Sequence, residues 1–255
     1  MGYNLELTAR AEPTHFWFRG FRAYVAPVVR KIAAGRRDLR MIDCGCGTGY
    51  NLKTLLQPYG LAFAFDLTPD ALQRARAAGR PLVRADMEHI PFHSGSFDLV
   101  TSFDVVHSVT DDRKALREMA RVLKPGGYLV MNVVALELLR GDHSAVWREE
   151  RRYTRLEGAR LIEDAGLEAV RIVYIFASLV PMILAVRTAQ RMLRLLRRPS
   201  GDADLTVPVA PVNAILSGLV RGEAALARRL PMPFGSSLLM VARKTQVEGT
   251  TSSKR

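Results

Sequence analysis

The sequence predicts an α/β protein built on a mostly parallel sheet with helices on both faces. Three observations carry that expectation. Short apolar runs alternate with helically patterned segments across residues 39–134, which is the signature of repeated β-α-β units. The first run, Leu39 to Asp43, breaks into the glycine-rich turn Cys44-Gly45-Cys46-Gly47-Thr48-Gly49 and then into a helical segment, the arrangement of a nucleotide-type site. The 255 residues suffice to bury a full core and suit one α/β domain with an insertion.

Each element follows in order. Residues 14–34 read as an opening helix, with apolar positions at helical spacing and Gly35 as its stop. Strands are predicted near 39–43, 61–66, 81–85, 97–102 and 128–134, with helical patterning over 49–57, 69–78 and 111–123. After Gly166, Leu167 to Tyr174 reads as a sixth strand and Ser237 to Arg243 as a seventh. Arg198 to Val212 holds Pro, Gly and Asp and is expected to be a mobile loop. Residues 245–255 form a polar tail expected to be disordered.

The glycine turn has the form G-x-G-x-G with Asp43 ahead of it. Glycine lets backbone approach a ligand closely, and the following helix offers free N–H groups. The second strand ends in Asp66, about 20 residues on, where an acid meets ribose hydroxyls in Rossmann-type units. A hydride-transfer fingerprint wants Gly or Ala at its sixth place, where this chain has Tyr50. Further motifs follow: Arg84-Ala85-Asp86-Met87, Ser96 to Asp104, and Arg121-Val122-Leu123-Lys124-Pro125-Gly126-Gly127.

With these motifs in order over roughly residues 39–135, the chain resembles the class I S-adenosylmethionine (SAM) dependent methyltransferases, with a methyltransferase type 11-like domain. A narrower resemblance, to a bacterial branch with an N-terminal HFWFRG-like segment, rests on Glu12-Pro13-Thr14-His15-Phe16-Trp17-Phe18-Arg19, Arg151-Arg152-Tyr153-Thr154 and Leu230 to Leu238. The family resemblance implies a Rossmann-like seven-stranded sheet whose last strand is antiparallel, between the fifth and sixth. It divides the chain into an N-terminal helical cap (1–36), a methyltransferase domain (37–244) with a helical basic and apolar insertion at about 175–236, and the tail. That insertion would leave from the carboxyl edge of the sheet, where ligands bind, as a wall or lid of the site.

The resemblance also assigns cofactor roles. Gly45, Gly47 and Gly49 lie beneath the amino-acid head and ribose, and Asp43 attracts the ammonium side. Asp66 holds two ribose hydroxyls, Asp86 accepts from the adenine amino group, and Met87 and Leu67 pack on the adenine. Phe103 and Asp104 border the methyl group. The aromatic and basic cluster His15 to Arg19 either docks the opening helix on the sheet or forms a flap over SAM with Arg19 near its carboxylate. Strand-end aspartates also cap helices, so Asp66 keeps that alternative ahead of Pro69. Asp98, early in strand four, reads as structural. Methyl transfer from a sulfonium is an in-line displacement that needs alignment and, for a hydroxyl or carbon acid, a base. Candidates for the base are His107, then His143, then Tyr153. The branch reads DVLEHV where this chain has Asp104-Val105-Val106-His107-Ser108-Val109, and Glu149 replaces a later His.

Composition is 48% hydrophobic and 24% charged, ordinary for a folded protein. Cys44 and Cys46 are the only cysteines, which excludes a disulfide framework and a structural zinc site and fits a reducing cytoplasm. No metal site is expected. Glu6, Arg10 and Glu12 interrupt the start of the chain, so no secretory signal is expected there. Net charge is +12, and residues 171–230 hold nine Arg against Asp202, Asp204 and Glu223. Arg187, Arg191, Arg194, Arg197 and Arg198 flank the apolar run Ile172 to Val186, too short to span a bilayer. Such a stretch suits peripheral contact with anionic membrane at the inner face, or an insertion with solvated arginines. The leading reading is a methyltransferase for a small or lipid-like acceptor, with no nucleic acid expected. An RNA methyltransferase, a SAM-binding protein without catalysis and a nucleotide-dependent oxidoreductase are the competitors.

Overall fold

A computed structural model describes residues 5–141, 149–193 and 207–246. Seven strands form one sheet: β1 (Leu39–Cys44), β2 (Gly60–Asp66), β3 (Leu82–Arg84), β4 (Phe97–Phe103), β5 (Leu123–Val134), β6 (Leu167–Ile175) and β7 (Ser237–Lys244). Their spatial order is β3-β2-β1-β4-β5-β7-β6. All neighbours are parallel except β7, which runs antiparallel to both β5 and β6. This is the expected topology. The central strands β1 and β4 are buried almost throughout because both sheet faces are covered, so they read as continuous apolar runs rather than alternating ones.

The helices are α1 (Leu5–Ala11), α2 (Phe16–Ala33), α3 (Pro69–Ala75), α4 (Asp112–Val122), α5 (Arg155–Asp164), α6 (Val180–Leu193) and α7 (Ala210–Leu226). On one face, Phe21, Val25 and Val29 of α2 and Val220 and Ala224 of α7 pack with Leu52 and Leu56 onto Met41, Ala62, Leu99 and Val241. On the other, Leu116 and Met119 of α4 and Leu161 and Ile162 of α5 pack onto Ile42, Val100, Leu129 and Met240. Asp111 caps α4 by accepting from Lys114 N at 2.9 Å, and Thr154 with Glu157 forms a capping box on α5.

Several expectations are corrected. The segment 49–57 contains a π turn over Leu52–Leu56 and a 3₁₀ turn over Gln57–Tyr59, where Pro58 removes a backbone donor. β5 begins at Leu123, five residues early, with a register shift against β4. Of the loop expected over 198–212, residues 210–212 open α7, with Pro in its first turn; 198–206 lie outside the described residues. The tail from 247 onward also lies outside them.

Register fixes the site. Asp43 pairs with Thr101, Asp66 with Arg84, Val134 with Ser237, and Ile175 with Ser237. The ends of β1 to β6 and the start of β7 therefore share one edge. Asp98, at the opposite end of β4, accepts from Arg40 N at 2.9 Å and Lys124 Nζ at 2.8 Å, the structural role expected.

Candidate cofactor and active site

The glycine turn crosses the end of β2, where Gly45 N and Cys46 N donate to Phe65 O at 2.9 and 3.0 Å. Gly45, Gly47 and Gly49 all have positive φ, at 77°, 53° and 78°, a region that disfavours side chains. Packing demands glycine twice over at the outer two. A Cβ on Gly45 would sit 2.7 Å from Val105 Cγ2, and one on Gly49 2.9 Å from Ala75 Cα. Around Gly47 nothing lies within 4 Å of that position, so the middle of the turn is its open side.

Asp66 is engaged by the chain at both oxygens. Oδ2 accepts from Gly47 N at 3.0 Å, while Oδ1 accepts from Thr68 N at 2.9 Å and Thr68 Oγ1 at 2.8 Å. The alternative raised for this carboxylate, a local turn-capping role, is therefore real. A carboxylate has about four acceptor positions, so room for hydroxyls remains. Leu67 is 58% exposed, an apolar side chain presented to solvent beside Asp66. Ala85 N donates to Asp66 O at 3.2 Å, which brings Asp86 alongside. Asp86 is exposed and Oδ1 accepts from Glu88 N at 2.9 Å, while Met87 is buried. Asp66, Leu67 and Asp86 thus line adjacent strand ends.

Asp43 sits deeper. It is 2% exposed and accepts from Thr101 Oγ1 at 2.7 Å. Burial, with the Asp66 charge adding to it, pushes its carboxyl up to about 7. It supports the turn from beneath rather than facing solvent. Arg19 is exposed on α2, and Phe103 meets Phe21 edge to face at 5.1 Å.

Sequence reasoning missed the N-terminal contacts to the turn. Thr48 Oγ1 donates to Glu12 Oε2, and burial raises the Glu12 carboxyl. Arg22 Nη2 donates to Glu12 O at 2.5 Å and its guanidinium lies 4.6 Å over the Tyr50 ring. The insertion holds this segment in place: Phe16 N donates to Asn213 Oδ1 at 2.8 Å, and Asn213 Nδ2 donates to Thr14 O at 2.9 Å. Trp17 stacks on Phe176 at 4.1 Å. A lone Asn inside the apolar run 207–217 was the available signal.

The candidate bases fare differently. His107 is 3% exposed in a 3₁₀ turn, and its carbonyl accepts from Glu150 N and Arg151 N. Tyr153 is buried in the α4–α5 core and donates to Asp112 Oδ2 at 2.7 Å; burial and the Asp112 carboxylate raise its pKa strongly, which disfavours a base. His143 lies outside the described residues. Asp104, at the end of β4, is exposed with φ 57°, a strained backbone for a non-glycine residue. Its Oδ1 accepts from Asn132 Nδ2 at 2.5 Å. Protein walls the carboxyl on its remaining sides, and this enclosure, opposed by Asn132 and assisted by the Glu149 charge, pushes it up to about 7. Asn132 is 1% exposed, and its Oδ1 has no partner among the described residues.

The insertion's arginines also need correction. Arg187 is 9% exposed and lies against Gly141, where a Cβ would collide with it, so it is not a surface cation. Arg194, Arg197 and Arg198 lie outside the described residues. Among those described, no helix is long and apolar enough to cross a membrane, and no group of three or more metal-ligating side chains occurs.

Comparison with known proteins agrees with this geometry. Residues 42–131 match the family model described as a methyltransferase domain. The Bos taurus protein named Probable tRNA methyltransferase 9B is 33% identical over 130 residues, 49% of this chain and 28% of that protein. The malonyl-[acyl-carrier protein] O-methyltransferase of Legionella pneumophila is 31% identical over 134 residues, 50% of this chain and 47% of that protein. The chain thus spans less than half the length of these two relatives. The Haemonchus contortus phosphoethanolamine N-methyltransferase 2, solved with SAM, superposes with a TM-score of 0.58 at 15% identity, covering 86% of this chain and 52% of that one. At that identity the likeness is one of fold. The segment that matches the methyltransferase-domain model spans the glycine turn, Asp66, Asp86 and Asp104.

Proposed function

We propose that this protein transfers the methyl group of SAM to a small or lipid-like acceptor. The observation that carries the reading is the joint presentation of Gly47, Asp66, Leu67 and Asp86 along one sheet edge. An apolar platform between two carboxylates suits an adenosine, with hydroxyls on one acid and the amino group on the other. Asp43 acts through the turn it supports. Arg19, on the opening helix, meets the SAM carboxylate.

Transfer breaks the C–S bond, leaves its electron pair on sulfur and forms the new bond to the acceptor, whose proton must leave. Asp104 is the group for that proton. It is accessible, titrates near neutrality and stands one residue from Val105, which packs on Gly45. Buried His107 and Tyr153 are less suited. The insertion supports an apolar acceptor, and exposed Val212, Ile215, Leu219 and Leu226 on α7 favour peripheral contact with an anionic membrane.

The net charge of +12, with a relative named for tRNA methylation, favours RNA as the second reading. Incubation with methyl-labelled SAM and fractionated cell extract decides between them. Label in the organic-extractable fraction is expected; label in RNA supports the second reading, and no transfer to any fraction contradicts the proposed activity.

A further inference from the structure

Away from the sheet edge, α2 and α7 pack closely at Gly20 and line a common groove further along. Gly20 permits the close approach, since a Cβ there would collide with Val220. Beyond it the helices leave an open groove of about 490 Å³, floored by Ala23 and Ala26 and bounded by Tyr59. Arg30 of α2 and Arg221 and Arg228, on and just beyond α7, line it. All three are exposed, and none of their guanidinium groups takes part in an ion pair or hydrogen bond among the described residues. No acid answers them locally. α2 contains none, and the single acid of α7, Glu223, is turned inward to accept from Ala177 N, Ser178 N and Ser178 Oγ. Three guanidinium groups around one groove without counter-charge make a site for a phosphate-type anion, since the planar fork matches its oxygens.

The exposed apolar surface of the same helix says where that phosphate resides. Val212, Ile215, Leu219 and Leu226 recur on α7 at helical spacing and are all exposed, Ile215 by 70%. A stripe of this kind suits acyl chains. Single-stranded RNA would call for aromatic platforms, and this stripe is aliphatic throughout.

We propose that the Arg30–Arg221–Arg228 groove holds the headgroup phosphate of an anionic phospholipid while the aliphatic stripe of α7 lies at the acyl boundary. The inference rests on the membrane contact named above and gives that contact its residues and its ligand. It is independent of methyl transfer.

The test uses the full chain with vesicles of phosphatidylcholine alone or with added phosphatidylglycerol. The wild type sediments with the anionic vesicles at low salt and not with the neutral ones. Each arginine near a charged leaflet accounts for about five-fold in affinity, so Arg30→Gln with Arg221→Gln and Arg228→Gln lowers binding at least ten-fold. SAM affinity and melting temperature stay unchanged, because these side chains hold nothing in the fold. Ile215→Gln with Leu219→Gln weakens binding through the stripe. A wild type that ignores anionic vesicles overturns the membrane contact and the groove together. Vesicle binding that survives the triple substitution overturns the groove alone. If the triple variant instead loses affinity for polyuridine while keeping that for vesicles, the groove belongs to RNA.

Discussion

Asp104→Asn removes the carboxylate that the proposed function places beside the methyl donor. In the free protein this carboxyl titrates at about 7, so below that pH it is mostly protonated and neutral. SAM carries a sulfonium that favours the charged form, and an opposite charge at close range pulls the carboxyl pKa back down in the bound state. Linkage then sets the slope: binding tightens as pH rises toward 7 and flattens above it, by about five- to ten-fold between pH 6 and pH 8. The demethylated product lacks the sulfonium, so its affinity shows no such rise. Calorimetric titration of SAM and product at both pH values reads the effect directly. Asp104→Asn should abolish the rise for SAM and leave the product unaffected. Asp43, which also titrates at about 7 beneath the turn, is the competing source, and Glu149 lies close enough to influence Asp104. A rise that persists in Asp104→Asn and vanishes in Asp43→Asn refutes the assignment.

Asp66→Ala removes the acceptor of three chain hydrogen bonds as well as the proposed ribose contacts. Two charge-assisted bonds at about 1.5–3 kcal/mol each, partly replaced by water, imply at least a ten-fold loss of SAM affinity; unchanged affinity with a lowered melting temperature would restrict Asp66 to holding the turn. Asn213→Ala releases residues 14–16 and should cost about 1–2 kcal/mol, with faster proteolysis between α1 and α2 as the readout; unchanged cleavage would show that the Trp17–Phe176 stack suffices.

The sheet was legible because its strands are buried on both faces and separated by turn-forming glycines. The positions of Asp66 and Asp86 were legible because strand ends set them. Long-range polar contacts left weaker marks: nothing local ties Glu12 to Thr48, or Asn213 to Phe16, 197 residues away. α5 escaped notice although Thr154 and Glu157 spell its capping box. The surroundings of the candidate bases were hidden for a related reason. A sequence shows that His107 and Tyr153 follow strands at the ligand edge, but burial is decided by what packs over them. Asp104 stood out only once its strained φ and its partner Asn132 were visible. Arg187 looked like a solvated cation because the sequence does not reveal the glycine it lies against.

The central claim is that the glycine turn, Asp66 and Asp86 form a site for SAM. Calorimetric titration of the purified chain with SAM, its demethylated product and NADH tests it most directly. The account predicts saturable binding of the first two at one shared site, each displacing the other, and no binding of NADH. Tight NADH binding with none for SAM would contradict it.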